Sequence, residues 1–327
     1  VLTRQELLEN KELRQNYARG ALIGLAIGDS FGDACRVEEN HQKFGITMEF
    51  GRGSSWSTDD TEFALLTAQI LINCGGELTQ EVVKEAWMEH VVTQNELHRG
   101  GGSEIEAAYN LREGLTPPES GKYNFYHMSD GAAMRIAPIG IMSAGEPEKA
   151  AKLAEIDASI SHWRDGIWGA QAVAAAVSVA MADGTVDEIV ETALNYAPEG
   201  SWFRHNFLAA LELVDQADSL EEVWMPLHTK FRSEYKAAVP EAIVQAFALF
   251  KLLGGEIDDS LIYSGNFGRD ADTIGAVVGS LCGALHGADE LPEHWIEKTR
   301  YPTGTCLEFT EGLDILEFAD QITDLMD

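Results

Sequence analysis

The chain has 327 residues, 45% of them hydrophobic, and 54 acidic against 23 basic side chains give a formal net charge of −31. That apolar fraction supports a sizeable core and excludes a disordered chain. A field of that sign repels phosphate backbones, which excludes nucleic-acid binding through a basic surface; a small polyanion would need cations to bridge it to the carboxylates.

Cys35, Cys74, Cys282 and Cys306 lie far apart and form no CxxC pair. This argues against a disulfide scaffold or a zinc cluster and fits a reducing, cytoplasmic setting. The opening VLTRQELLENKELRQ mixes charges without an apolar core, so no secretory leader is expected. In chain order, Leu13, Tyr17, Ala21 and Leu25 recur at every fourth position and predict a helix ending near Gly28. Thr61 to Ile72 continues the pattern and stops at Cys74-Gly75-Gly76. Further helices are predicted near 79–92, 103–113, 147–160, 166–182, 186–196, 203–214, 241–253, 273–286 and 308–325. Pro240 suits a first helical turn, where its missing N–H costs nothing. Ile167 to Ala182, the longest apolar stretch, is interrupted by Gln171 and Ser178 and is too short for a membrane span, so it reads as a buried helix. Alternating β-branched runs are nearly absent. The expectation is one all-α domain over 1–327, a compact multi-helix bundle, with Ala and Gly in 166–182 and 273–286 letting backbones approach.

Two acidic clusters stand out from the general acidity. Ser57-Thr58-Asp59-Asp60-Thr61 precedes one apolar helix, and Gly268-Arg269-Asp270-Ala271-Asp272-Thr273 precedes another. Adjacent carboxylates repel, and burying them without a cation costs several kcal/mol. Hard divalent ions such as Mg²⁺ require all-oxygen ligands, and two such turns meeting in space would hold a pair of them. The bland alternative is helix capping, for which Asp and Thr are also well suited. Capping needs one side chain per helix and leaves the surplus unexplained.

Four further features are candidates. Asp29, in GALIGLAIGDSFG, is within reach of a site, although the small residues there also suit packing and a helix stop. Arg99-Gly100-Gly101-Gly102-Ser103 leads into a helix at Glu104; bare N–H groups there can cradle an anion, although a glycine run by itself more often marks a flexible loop. Ser129-Asp130-Gly131-Ala132 forms a turn before Arg135, with Pro138 just inside the next helix. His162 precedes the apolar helix at 166–182, where a lone histidine is more often structural than a ligand.

In this order, GLAIGDSFG, STDDTEFALL, DGAAMRIAPIG, the Ser161-His162 pair and GRDADTIGAVVGSLCGA resemble the ADP-ribosylglycohydrolase family from about Gly20 to Gly287. The resemblance implies an all-α orthogonal bundle with a centre of two Mg²⁺ (or Mn²⁺) ions. It also implies removal of ADP-ribose from proteins, or hydrolysis of a related ribosyl linkage. By position, Thr58, Asp59 and Asp60 look like one ligand set, and Asp270, Asp272 and Thr273 like the other. Gly100 to Gly102 and the turn Ser129 to Ala133 match places where the family lines its ADP-ribose groove, and His162 matches a position near it. The chain departs from the pattern at Arg36, where many members carry a glutamate; Glu38 and Glu39 follow closely. Arg36 is expected instead to meet a phosphate or carboxylate of the ligand. Asp130 stands where asparagine is frequent, which makes the groove less friendly to phosphate.

Cleavage at ribose C1 is expected to pass through an oxocarbenium-like state, with Asp59, Asp60 or Glu38 as the carboxylate handling the proton. The ligand is an ADP-ribosylated protein or a small ribosylated metabolite such as a free nucleoside. A diphosphate-binding DDxE reading of Asp59 to Glu62 lacks the basic residues it needs. A non-catalytic, crystallin-like role leaves the ligand set without purpose.

Overall fold

The computed structural model describes residues 1–35, 46–50 and 57–326. The first helices are α1 (Arg4–Glu9), α2 (Lys11–Cys35), α3 (Asp59–Asn73), α4 (Gln80–Trp87), α5 (Gly102–Arg112) and α6 (Glu119–Lys122). Next come α7 (Ala137–Met142), α8 (Pro147–Ala158), α9 (Asp165–Ala180), α10 (Val186–Asn195), α11 (Trp202–Asp215) and α12 (Leu220–Lys230). The last are α13 (Val239–Leu252), α14 (Ile257–Gly265), α15 (Ala271–His286), α16 (Glu293–Thr299) and α17 (Ile315–Thr323). Among the described residues, strand-type pairing is confined to one bridge, Ser129 to Ala238. The fold is all-α.

Two stripes of small residues set its centre. Gly20, Gly24, Gly28 and Gly32 line one face of α2, and Gly283, Gly279, Gly275 and Ala271 line α15 in the opposite order. The helices therefore run antiparallel with their backbones in contact. A Cβ placed on Gly28 would lie 1.8 Å from the Gly275 carbonyl oxygen, and one on Gly24 would lie 2.2 Å from that of Gly279. No side chain fits there. The pairing brings the C-terminal part of α2 against the N-terminus of α15, so Asp29, beside Gly28, faces the segment that carries Asp272.

This corrects one expectation. The first long helix does not stop near Gly28 but continues to Cys35, because the glycines there are packing positions, not terminators. Predicted helix 308–325 is likewise divided into a 3₁₀ turn at Glu308–Thr310 and α17, with Gly312 between them at φ +72°. Segment 79–92 is α4 continued as a π-helical turn over Met88–Val92. Pro138 and Pro240 both sit in first turns, of α7 and α13. α9 is buried along nearly its whole length, as its apolar sequence requires. Among the described residues no helix is long and apolar enough to cross a membrane.

Candidate active site

Asp29, Asp60 and Asp272 converge where α2, α3 and α15 meet. Each offers a carboxylate oxygen, and the three oxygens lie within 4.8 Å of one another. Asp29 is fully buried and accepts four hydrogen bonds: from the Thr58 backbone N–H (3.0 Å) and hydroxyl (2.5 Å), and from the Thr61 N–H (3.2 Å) and hydroxyl (2.5 Å). It thereby fixes the turn that opens α3. Asp60 receives the Thr58 hydroxyl on one oxygen at 3.3 Å, and its Oδ1 is buried with no partner. Asp59 accepts the Gly101 N–H at 2.7 Å, and Asp270 pairs with Lys236.

Neither cluster caps its helix. Thr58 and Asp270 occupy the N-cap positions of α3 and α15, and neither side chain makes a capping hydrogen bond. The alternative weighed from sequence therefore fails on geometry. Electrostatics point the same way. Burial first, and then the charges of Glu104, Asp272, Asp29 and Asp270, push the Asp59 carboxyl well above its usual range. Asp60 is raised by burial and by Asp29, Asp272 and Asp59. Burial lifts Asp29 to about 6 against the pull of its threonine donors. Like charges held this close, with an orphaned oxygen on Asp60, fit a hard divalent cation, for which an all-oxygen donor set is the right chemistry.

Beside this cluster lies a cavity of about 200 Å³. Asp59, Asp60, Asp270, Asp272 and Thr273 line it, together with Gly100, Gly101, Ser129, Asp130 and Gly131. Arg99, Ser103, Glu104, Met134, Tyr235, Lys236 and Ala237 complete the wall; the first four belong to segments singled out in the sequence but were not named as ligand contacts, and the last three were not expected. Arg99 donates to Asp33 at 2.6 Å. Glu104 is 1% exposed and lies in the first turn of α5. Its signal was faint: a single glutamate after a glycine run reads as an ordinary first-turn acid.

Other expected residues lie elsewhere. Asp29 belongs to the carboxylate cluster and not to the cavity wall. His162 lies behind the wall, fully buried, with Nε2 on Ser129 (2.8 Å) and Nδ1 on Ser161 (2.7 Å), so neither nitrogen is left for a ligand. Gly102 faces the Tyr126 ring, where a Cβ would lie 2.9 Å from it, and Ala132 is buried in the core. The anion cradle expected at Gly100 to Gly102 is altered too, because the Gly101 N–H is already committed to Asp59. Arg36, Glu38 and Glu39 lie outside the described residues.

Comparison with known proteins identifies the family. An ADP-ribosyl-[dinitrogen reductase] glycohydrolase from Rhodospirillum rubrum is 26% identical over 302 residues, covering 86% of this chain and 89% of that protein. ADP-ribosylarginine hydrolase Tri1 from Pseudomonas putida is 24% identical, covering 87% of this chain and 74% of its own length. The solved structure titled ADP-ribosylglycohydrolase-related protein complex shares the fold at a TM-score of 0.68 and 20% identity, over 97% of this chain and 100% of that one. The ADP-ribosylglycohydrolase family matches residues 10–327, so the chain belongs to that family of enzymes, glycosidases that hydrolyse ADP-ribose conjugates.

Proposed function

We propose that the chain is a divalent-cation-dependent hydrolase that releases ADP-ribose from a modified protein side chain, acting as a single domain. The observation carrying this reading is the convergence of Asp29, Asp60 and Asp272, flanked by Asp59 and Asp270, beside one cavity. Thr58, Asp59, Asp60, Asp270, Asp272 and Thr273, joined by Asp29, would hold two Mg²⁺ or Mn²⁺ ions. Bound there, the ions supply charge that neutralises the carboxylates and Lewis acidity toward ribose oxygens and water.

The chain's own residues do the rest. Asp29 holds the Thr58–Thr61 turn rigid through its four acceptor contacts. Asp59 is fixed by the Gly101 N–H, which joins the α3 turn to the glycine segment. Arg99, anchored by Asp33 at the cavity edge, is the cation placed to meet the diphosphate. In the reaction water bonds to ribose C1 as the bond from C1 to the side chain breaks, through an oxocarbenium-like state. Asp59 or Asp60 takes the water's proton and passes it to the departing side-chain atom, so the carboxylate is regenerated and the leaving group departs protonated.

The test is release of free ADP-ribose from ADP-ribosylated peptides by the purified chain, with Mg²⁺, with Mn²⁺ and with chelator. Turnover that needs the ion supports the reading. Full turnover in chelator, or none with either ion on any ADP-ribosyl conjugate, refutes it.

A further inference from the structure

Glu241 is fully buried in the first turn of α13, outside both the carboxylate cluster and the cavity wall. Its carboxylate is filled from two directions. Arg269 donates from Nε to Oε1 (2.6 Å) and from Nη2 to Oε2 (3.2 Å), a two-pronged ion pair. Ser233 donates its backbone N–H to Oε2 at 2.6 Å, and its hydroxyl lies 2.8 Å from the same oxygen. Arg269 closes the ring by donating Nη2 to the Ser233 carbonyl oxygen at 3.1 Å. A planar guanidinium gripped on both prongs is fixed in orientation as well as in place.

What this grip holds is the backbone next to the site. Arg269 has φ +57°, in the left-handed region that a residue with a Cβ adopts only when its surroundings impose it. The next residue is Asp270, whose side chain lines the cavity and pairs with Lys236. On its other side Asp270 is followed by Ala271, whose carbonyl oxygen would lie 2.1 Å from a Cβ on Gly32 of α2. Asp272 is thus placed by the contact of α2 with α15, whereas Asp270 stands at the junction between that contact and the Arg269 turn. The second segment held by Glu241 belongs to the same wall. Ser233 begins the stretch that carries Tyr235, Lys236 and Ala237, and the Ala237 carbonyl oxygen accepts the Asp130 N–H at 2.8 Å. One buried carboxylate therefore sets the 268–270 turn and the 233–237 segment relative to each other.

We propose that Glu241 is a positioning residue for one of the two cations: acting through Arg269, it fixes the Asp270 carboxylate, while Asp29, Asp60 and Asp272 are placed without it. This rests on the cation-binding part of the reading above. A clamp of this kind has a selective effect. Freed from Glu241, Arg269 leaves φ +57° for an ordinary conformation, and Asp270 turns with it. Asp272 stays, because Ala271 remains against Gly32. A role confined to general stability would weaken both cations together or neither.

The test is a Mn²⁺ titration of the purified chain, followed by electron paramagnetic resonance of the free ion in about 0.15 M salt, which screens the acidic surface. The wild type, Glu241→Gln and the double variant Glu241→Gln/Arg269→Met are compared. The double variant removes the guanidinium that Glu241→Gln leaves unpaired, and it keeps a Cβ at the left-handed position. In both variants one of the two cations is expected to bind about tenfold or more weakly, and the other within about threefold of the wild type. Amide hydrogen exchange should quicken at 268–270 and at 233–237. Affinities for both ions unchanged within threefold overturn the proposal, and so does an equal loss of both. Wild-type affinity restored in the double variant also overturns it, since the loss in Glu241→Gln would then come from the released Arg269 charge. If Glu241→Gln fails to fold by circular dichroism, the double variant decides. A wild type that binds no Mn²⁺ refutes the cation reading and the proposal together, whereas a wild type that binds two ions beside unaltered variants refutes the proposal alone.

Discussion

The carboxylate of Asp29 and the hydroxyl of Thr61 are joined by a 2.5 Å hydrogen bond that ties the middle of α2 to the first turn of α3. Asp29 also accepts the Thr58 N–H at 3.0 Å, so one side chain orders the whole acidic turn. Burial raises the Asp29 carboxyl and outweighs the pull of the Thr58 and Thr61 hydroxyls and the Thr58 N–H, leaving it at about 6, against 3.8 for a free aspartate. Without divalent cations the folded protein therefore binds more protons than the unfolded chain between about pH 4 and 6. Stability is fully present below that window and declines as pH rises through it, by about 3 kcal/mol from this group alone. Asp59, Asp60 and Asp130 shift in the same direction and extend the loss to higher pH. In chelator, the melting temperature should fall from pH 4.5 to 7.5. Asp29→Asn should flatten the lower part of that fall. A chelated wild type that gains stability over this range would contradict the buried carboxylate cluster.

Divalent cations should reverse the effect. They bind only the folded arrangement, so Mg²⁺ or Mn²⁺ should raise the melting temperature in proportion to the logarithm of concentration above Kd. The rise should be larger at pH 7.5 than at pH 5, because protonated carboxylates are poor ligands. Differential scanning fluorimetry across both variables checks this. An equal rise at the two pH values would point to ions bound elsewhere on the acidic surface.

Asp272→Ala separates stability from activity. Removing one of the mutually repelling buried carboxylates should leave the chelated protein as stable as the wild type or more so. The same change removes a cation ligand and should lower kcat by about 10³-fold, corresponding to roughly 4 kcal/mol of lost transition-state stabilisation. Bound Mn²⁺ per chain should fall in parallel. Retained turnover with lowered stability would make Asp272 a structural residue.

Both acidic motifs were legible in the sequence because their chemistry is local: paired Asp and Thr at a helix entrance exceed what capping uses. Glu104 was not, because its significance comes from Arg135, Ser161, His162, Ser129 and Ser103, which other segments supply. The same network gives His162 buried partners on both nitrogens, in keeping with the structural alternative weighed for it. Its position before a small-residue helix was read correctly, but its partners turn both nitrogens inward. Long amphipathic helices announced themselves by periodicity, whereas α6 is too short to show any and α7 was marked only by Pro138. The continuation of α2 past Gly28 was hidden because a glycine reads locally as a stop, and its actual neighbour is Gly275 in a distant helix. That contact is testable. Gly28→Ala should destabilise by about 1–3 kcal/mol or more, since the clash is with backbone that cannot rotate away. Metal affinity should weaken with it, because the same contact brings Asp29 to Asp272.

Glu62 carries the last prediction. It follows the acidic turn in α3 and is fully buried, yet it faces away from the cation cluster. Its Oε1 accepts from the Ser57 hydroxyl (2.6 Å) and the Thr305 N–H (3.0 Å). Its Oε2 accepts from the N–H groups of Cys306 (2.8 Å) and Leu307 (2.6 Å). One carboxylate thus holds the 305–307 segment against the base of the active site. Glu62→Ala strands three backbone donors, and at 1–3 kcal/mol for each buried unpaired group the expected loss is about 3 kcal/mol or more. Glu62→Gln keeps the volume and both oxygen-side contacts of one acceptor but turns the other into a donor facing N–H groups, so it should recover only part. Amide hydrogen exchange should quicken at 305–307 in both variants, more in Ala, and cation affinity should drop because Ser57, next to Thr58, loses one of its holds and keeps only its Thr303 contacts. Exchange at 305–307 unchanged in Glu62→Ala would mean that the segment is held by its own packing, and Glu62 would then have no part in shaping the turn.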